Sequence, residues 1–343
     1  MLALVTGGAG FLGSALLESL IARGQRHIRC LVRPSSRLDK LEELRRRHPD
    51  AVLELVTGDL TSRAAAARAV AGVDMIYHLA AGMRGGYADT VLNTVVASRN
   101  LLDAAVEQGV GKVVMTSSFS VYGVAGLPRG ATVNESTPLE PHPEKRDPYS
   151  FAKLRQELLF HEYQKRAGFQ LVVLRPGVIY GPGGGAMSPR VGLQFPWFFL
   201  HCGGGNLLPL SYVENCADAI ALAGAAPHAT SDEVYNVHDD DLPTCRAYLR
   251  EYRRRVRKMR SLPMPYAGAM AMSRLFEWYH VHSRGQLPAF LTPYKAACLW
   301  KGNRFDNGKI KSLGWSQRVS SEEGLHRTFH YLKTLAGEQA SNP

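Results

Sequence analysis

The chain opens on a short apolar run, Leu2-Ala3-Leu4-Val5, that leads directly into Thr6-Gly7-Gly8-Ala9-Gly10-Phe11-Leu12-Gly13. Glycines at 7, 10 and 13 between a strand and a helix allow a tight turn, close approach of backbone to a pyrophosphate, and tight packing of helix on strand. The helix that starts there points free N–H groups and the positive end of its dipole at the phosphates. A glycine pattern alone is weak evidence, but this one follows a strand and opens a helix, which gives it meaning. Gly7, Gly10, Phe11, Leu12 and Gly13 are therefore expected to bind a dinucleotide.

Beyond this turn, short apolar runs at 2–6, 27–32, 52–56, 74–79, 112–116 and 170–174 read as strands. Helical patterns lie between them, at about 11–22, 36–47, 62–71, 91–108 and 149–166. Alternation of this kind implies an α/β fold, a Rossmann-type doubly wound parallel sheet with right-handed crossovers. From about residue 180 the rhythm breaks into glycine-rich loops with Phe195, Trp197, Phe198 and Phe199, a basic helix, an apolar segment at 264–279 and a last helix near 321–335. The expected division is a coenzyme-binding domain at 1–180 and a smaller, mostly C-terminal substrate lobe at 181–343, with 207–237 returning to the sheet.

A chain of 343 residues allows about two such units at roughly 150 residues each. Forty-one basic against 30 acidic residues give +11, a balance that suits an anionic ligand or contact with a membrane surface. Eight of the basic residues fall between Arg246 and Arg260, with only Tyr248 and Tyr252 as interleaved aromatics. That is a poor base-stacking platform, so a solvated helix face is expected and nucleic acid is not. Five scattered cysteines without a CxxC pair argue against a disulfide framework or a metal site and for a reducing, cytoplasmic setting. No apolar run reaches the length of a membrane span, and the apolar start is too short for a signal peptide.

The second strand ends in Arg33-Pro34-Ser35-Ser36-Arg37, where an acid would select the ribose 2′-hydroxyl of NAD. Two guanidinium groups and two hydroxyls suit a 2′-phosphate instead, so NADP(H) is expected, with NAD(H) as the alternative. Gly58-Asp59-Leu60 follows the third strand, and Asp59 is expected to face the adenine amine. Tyr149 and Lys153 stand four apart, on one helix face. An ammonium beside a phenol pulls the phenol pKa down from about 10. Ser117-Ser118 ends the fifth strand, where a hydroxyl can orient a carbonyl oxygen while the tyrosine donates its proton.

In this order the elements resemble the extended short-chain dehydrogenase/reductase superfamily, in its NAD(P)-dependent epimerase/dehydratase branch that includes 3-beta-hydroxysteroid dehydrogenases. The resemblance rests on TGGAGFLG, HLAA (78–81), NTVVASRNLLDAA (93–105), SSFSVYG (117–123), YSFAK (149–153), LRPGVIYGPG (174–183), LSYVENCADAI (210–220), EVYNV (233–237) and KIKSLGW (309–315). It implies Ser118, Tyr149 and Lys153 as catalytic residues with Asn93 in support. It further implies Leu79, Ala80, Ala81, Pro176, Gly177 and Val178 against the coenzyme, Ser120 and Tyr122 near substrate, and a homodimer through the helices at 91–108 and 149–166.

Two departures narrow the chemistry. Family dehydratases carry an Asp-Glu pair where this chain has Phe119 and Ser120, and nucleotide-sugar epimerases present an arginine where it has Leu207-Leu208-Pro209-Leu210. Arg190 or Arg304 is the substitute to examine, and Phe195 is expected to line an apolar pocket with the methionines and aromatics of 264–279. The reading is an oxidoreductase acting on a small-molecule secondary alcohol or ketone. Its alternatives are a nucleotide-sugar epimerase serving surface polysaccharide synthesis and a coenzyme-binding protein without turnover.

Overall fold

The computed structural model describes residues 1–341 except 84, 186, 196, 228–231 and 284–290. In chain order the first half runs β1 (Leu2–Thr6), α1 (Phe11–Ala22), β2 (His27–Val32), α2 (Asp39–Arg47), β3 (Val52–Thr57), α3 (Arg63–Val70), β4 (Met75–His78), α4 (Tyr87–Val91), a wide π-helical turn (Leu92–Val96), α5 (Ala97–Glu107), β5 (Lys112–Thr116), β6 (Thr132–Val133), α6 (Pro148–Ala167) and β7 (Gln170–Pro176). The second half adds β8 (Val178–Tyr180), β9 (Gly192–Gln194), β10 (Phe199–His201), β11 (Leu210–Tyr212), α7 (Val213–Ala225), β12 (Asp232–Val237), α8 (Cys245–Arg255), β13 (Ser261–Pro263), α9 (Tyr266–His282), α10 (Pro293–Trp300), β14 (Arg304–Phe305), α11 (Gly308–Ser312) and α12 (Ser321–Ser341).

Seven strands form the central sheet in the order β3-β2-β1-β4-β5-β7-β12, every neighbouring pair parallel. β1 sits inside it, and its residues alternate between two separate cores. Ala3 and Val5 join Leu16, Leu17 and Leu20 of α1 and Ala217, Ile220 and Ala221 of α7. Leu4 points the other way, toward Ala66 and Ala69 of α3, Leu101 and Leu102 of α5 and Phe160 of α6. Burial on both faces explains why the strands read as unbroken apolar runs. β12 pairs with β7 from Asp232 opposite Leu171 to Val237 opposite Pro176, so the chain does come back to the sheet after leaving it.

The strand order reverses between β1 and β4, and there the carboxyl ends of the strands part into a crevice. The glycine turn sits at its edge. Gly7 has φ +74°, and a side-chain carbon at Gly13 would run into the Gly7 carbonyl oxygen. Only glycine lets α1 lie this close to the end of β1.

Beyond the sheet, β9, β10 and β13 form a small sheet, and β8 pairs with β11. Tyr180, Phe199, Tyr248 and Phe329 fill the core beneath them. Several expected boundaries shift. The helix expected over 91–108 is three pieces, because the π-helical turn widens the coil around Asn93 and Thr94. The helix expected from 36 begins at Asp39, and the strand expected at 74–79 is confined to Met75–His78. The 264–279 segment is largely α9, whose Leu275, Phe276, Trp278 and Tyr279 are exposed rather than lining a pocket.

Gly13→Ala should destabilise the protein by about 1–3 kcal/mol through overpacking, read as a lower urea midpoint at unchanged slope. An unchanged midpoint would show that α1 does not depend on this contact.

Candidate active site

A cleft of about 900 Å³ runs along the crevice. Arg33, Ser36 and Arg37 line one end; Gly7, Gly10, Phe11, Leu12 and Gly13 form its floor; Ser118, Tyr149 and Lys153 stand at its middle; Arg190, Tyr248 and Leu299 close the other end. Leu60, Leu79, Ala80, Ala81, Asn93, Ser120, Pro176, Gly177 and Val178 also face it. The residues expected to act together are thus brought together, with exceptions at both ends.

Local sequence sets the tyrosine. Asp147 accepts from the Ser150 N–H at 3.0 Å and Pro148 takes the first helical position, so α6 starts abruptly and Tyr149 lies in its first turn. The phenol pKa is raised by burial and by the Asp147 charge, against a lowering from hydrogen bonding with Ser118. This corrects the expectation of a phenol pulled down by Lys153: the lysine is buried, and two of its three N–H groups go to the Thr116 carbonyl and the Gln156 amide oxygen, both at 2.6 Å. Burial lowers the Lys153 pKa to about 7, opposed by the Glu157 charge. Ser118 Oγ accepts from the Ser120 N–H at 3.1 Å, which leaves its own proton to donate.

Behind Lys153 lies a chain of buried polar groups that sequence reasoning missed. An ammonium is donor only, so the Gln156 oxygen must face it. The Gln156 amide nitrogen then donates to His78 Nε2 at 3.0 Å and to Ser98 Oγ at 2.8 Å. His78 must carry its proton on Nδ1, which donates to Thr6 Oγ1 at 2.8 Å. Burial, then the Lys153 charge, lowers the His78 pKa to about 3, so the ring is neutral. Gln156 stands three residues after Lys153 on the same helix face, and that spacing was the available signal.

At the coenzyme end the turn leaves the backbone bare at Gly7, Gly10 and Gly13, and Gly10 starts α1 with no side-chain cap, so among the described residues the first N–H groups have no partner. These features fit a dinucleotide. Arg33 and Arg37 are exposed beside them. Asp59 does not line the cleft, contrary to expectation. One of its oxygens pairs with Arg33 Nε at 3.2 Å and the other accepts from the Thr61 N–H at 2.8 Å. Burial favours its neutral form, but Thr61 and Arg33 outweigh that and lower its pKa.

At the substrate end, two expectations are corrected. Tyr122 is fully buried away from the cleft; its hydroxyl donates to Asn236 Oδ1 at 2.6 Å and Arg175 lies over its ring. Phe195 stacks on Phe198 at the surface, 39% exposed, because the turn joining β9 to β10 points outward; Pro196 in that turn lies outside the described residues. Arg304 is exposed on β14 and does not reach the cleft. Ser120 lines the cleft with a buried hydroxyl that has no partner among the described residues. Asn93 donates from Nδ2 to the Asp89 carbonyl at 2.8 Å. The wall is supplied instead by Met187, Leu208, Leu210, Tyr248 and Leu299. Among the described residues no cluster of side chains could hold a metal ion, and no helix is long and apolar enough to cross a membrane.

Residues 3–237 match the NAD dependent epimerase/dehydratase family. The chain is similar to 3beta-hydroxysteroid-dehydrogenase/decarboxylase isoform 1 of Arabidopsis thaliana, at 28% identity over 96% of this chain and 80% of that protein. It is also similar to 2-alkyl-3-oxoalkanoate reductase of Stenotrophomonas maltophilia, at 29% identity over 94% of this chain and 97% of that one. In fold it resembles the UDP-glucuronic acid 4-epimerase of Bacillus cereus, solved with UDP-glucuronic acid and NAD, with a TM-score of 0.71, 21% identity, and coverage of 98% of this chain and 100% of that one. The chain belongs to the NAD dependent epimerase/dehydratase family and is an NAD(P)-dependent enzyme of the extended short-chain dehydrogenase/reductase type.

Proposed function

We propose that this enzyme is an NADP(H)-preferring oxidoreductase that interconverts a secondary alcohol and a ketone on a mainly apolar substrate. The observation that carries the reading is the apolar wall of the cleft. Leu208, Pro209 and Leu210 line the cleft where a nucleotide-sugar enzyme would present an arginine. Phe119, standing where a dehydratase needs an acid, is buried and stacked on Phe305 with ring centres 5.5 Å apart. Neither diphosphate binding nor elimination of water has its usual side chains here.

The bound nicotinamide would supply or take the hydride. Around it the side chains have separate tasks. Ser118 donates a hydrogen bond to the substrate oxygen and fixes its direction. Tyr149, kept protonated at neutral pH by its raised pKa, gives its proton to that oxygen in reduction and takes it back in oxidation. Lys153 holds the coenzyme ribose with the N–H that Thr116 and Gln156 leave unused. Arg33, Ser36 and Arg37 receive the 2′-phosphate, and Leu60 with Gly58 flanks the adenine. The nucleotide-sugar epimerase remains the second reading, because it would use the same relay.

We further read the protein as cytoplasmic and homodimeric. All five cysteines are free thiols. The exposed apolar side chains Leu92, Val106 and Leu158 lie on the π-helical turn, α5 and α6, the helices through which a partner copy would dock.

Tyr149→Phe should lower turnover by about 10²–10⁴ while leaving the coenzyme dissociation constant unchanged in a fluorescence titration; near-normal turnover would remove the tyrosine from the relay. In a separate test, Arg33→Asp should erode the kcat/KM ratio of NADPH over NADH by about tenfold or more, the loss of a charge-assisted hydrogen bond. The same ratio in both proteins would mean that Arg33 does not read the 2′-phosphate.

A further inference from the structure

The cleft contains one charged side chain to which neither the proton relay nor the coenzyme assigns a task. Arg190 lies in the loop between β8 and β9, held by its backbone N–H to Ser188 Oγ at 3.2 Å. It is partly buried at the substrate end of the cleft. Arg146 and Cys298 line the same cleft, and burial followed by the Arg146 charge lowers the Arg190 pKa. Among the described residues the guanidinium has neither an ion pair nor a hydrogen bond.

Arg146 is a useful contrast. It faces the same part of the cleft, with Nη1 4.0 Å from Cys298 Sγ, but its charge is met by Glu140 at 3.0 Å. Glu140 also accepts from the Tyr294 hydroxyl, so its oxygens are committed. Of the two arginines that line this end, one is neutralised and the other is not. An arginine cannot shed its proton in a protein, so Arg190 presents an unmatched positive charge to the cleft. Such a group is explained if the ligand brings the anion.

The surroundings limit that anion. One unpaired guanidinium matches one carboxylate, which it can hold through two parallel hydrogen bonds. A diphosphate would call for a second free cation, and Arg146 is already paired. Met187, Leu208, Tyr248 and Leu299 make the rest of this end apolar. Arg190, Arg146, Ser118 and Tyr149 all line the same cleft.

We propose that the substrate is an apolar hydroxy acid or oxo acid whose carboxylate is held by Arg190 while its alcohol or ketone oxygen lies at Ser118 and Tyr149. The proposal rests on the oxidoreductase reading and adds the substrate class. Arg190 acts in binding and moves no proton.

The test uses the protein saturated with NADPH, which cannot oxidise an alcohol, titrated calorimetrically with a medium-chain β-hydroxy fatty acid and with its methyl ester. The corresponding oxo acid and oxo ester are then offered with NADPH. The acid should bind at least about tenfold more tightly than the ester, the scale of one charge-assisted contact. Arg190→Met should weaken the acid by about 10–100-fold and raise its KM with kcat little changed, leave the ester and NADPH unaffected, and be partly rescued in Arg190→Lys. Unchanged NADPH affinity certifies that the variant is folded; if it is not, the acid–ester comparison on the unmutated protein decides. No binding of the acid, equal binding of acid and ester, or equal weakening of both by Arg190→Met overturns the proposal. Arg190-dependent binding of the acid without any reduction upholds the anion site and overturns the oxidoreductase reading instead. Equal reduction of oxo acid and oxo ester upholds that reading and overturns the anion site.

Discussion

Everything in the active cleft is referred to one buried ammonium. Lys153 is 3% exposed, and its two hydrogen bonds, to the Thr116 carbonyl and the Gln156 oxygen, orient every other group in the chain behind it. Because Gln156 must turn its oxygen toward the lysine, His78 must accept on Nε2 and donate from Nδ1 to Thr6. Thr6 is the last residue of β1 and the first of the glycine turn; its hydroxyl also accepts from the Ala80 N–H at 3.3 Å. One polar chain thus ties the ends of β1, β4 and β5 to α5 and α6, and it sets the coenzyme turn and the proton relay in fixed relation. A fully satisfied buried network of this kind rigidifies a site, whereas one missing member leaves several unpaired groups.

A second buried network supports the serine side. Arg175 of β7 pairs with Glu157 of α6, both almost wholly buried, and the Ser117 hydroxyl donates to the same carboxylate. Burial alone would raise the Glu157 pKa, but His161, Arg175 and Ser117 together bring it down to about 2. The carboxylate therefore stays charged and keeps hold of Ser117, next to the Ser118 that meets substrate. Tyr122 belongs to this support: its ring lies 4.7 Å under the Arg175 guanidinium.

These two networks mark where sequence legibility ends. The glycine turn, the alternation of strand and helix and the Tyr149–Lys153 spacing are local, so periodicity and motif revealed them. What tertiary contact decides was not visible. The helix expected over 91–108 is interrupted because the Gly82 N–H bonds to Thr94 Oγ1 at 2.8 Å and Asn93 bonds back to Asp89, neither of which a heptad count registers. Asp59 follows the third strand where an adenine contact is expected, but Arg33, distant from it in sequence, folds back onto it. Tyr122, which the resemblance sets near substrate, is consumed by Asn236 and Arg175, and Phe195, an aromatic expected in the pocket, faces outward. The Tyr149 pKa shifts upward because burial, invisible in a sequence, raises it and the Asp147 charge adds to that, outweighing the Ser118 hydrogen bond.

The central claim is that the relay serves net reduction or oxidation rather than a hydride borrowed and returned. The most direct measurement follows reduced coenzyme and product together, with purified protein, NADPH and a panel spanning apolar oxo acids and UDP-hexoses. The account predicts one NADPH oxidised for each hydroxyl formed on an apolar oxo acid and no reaction of the sugars. Interconversion of a UDP-hexose with its epimer, with no net change in NADPH and no reduction of any oxo acid, would contradict it.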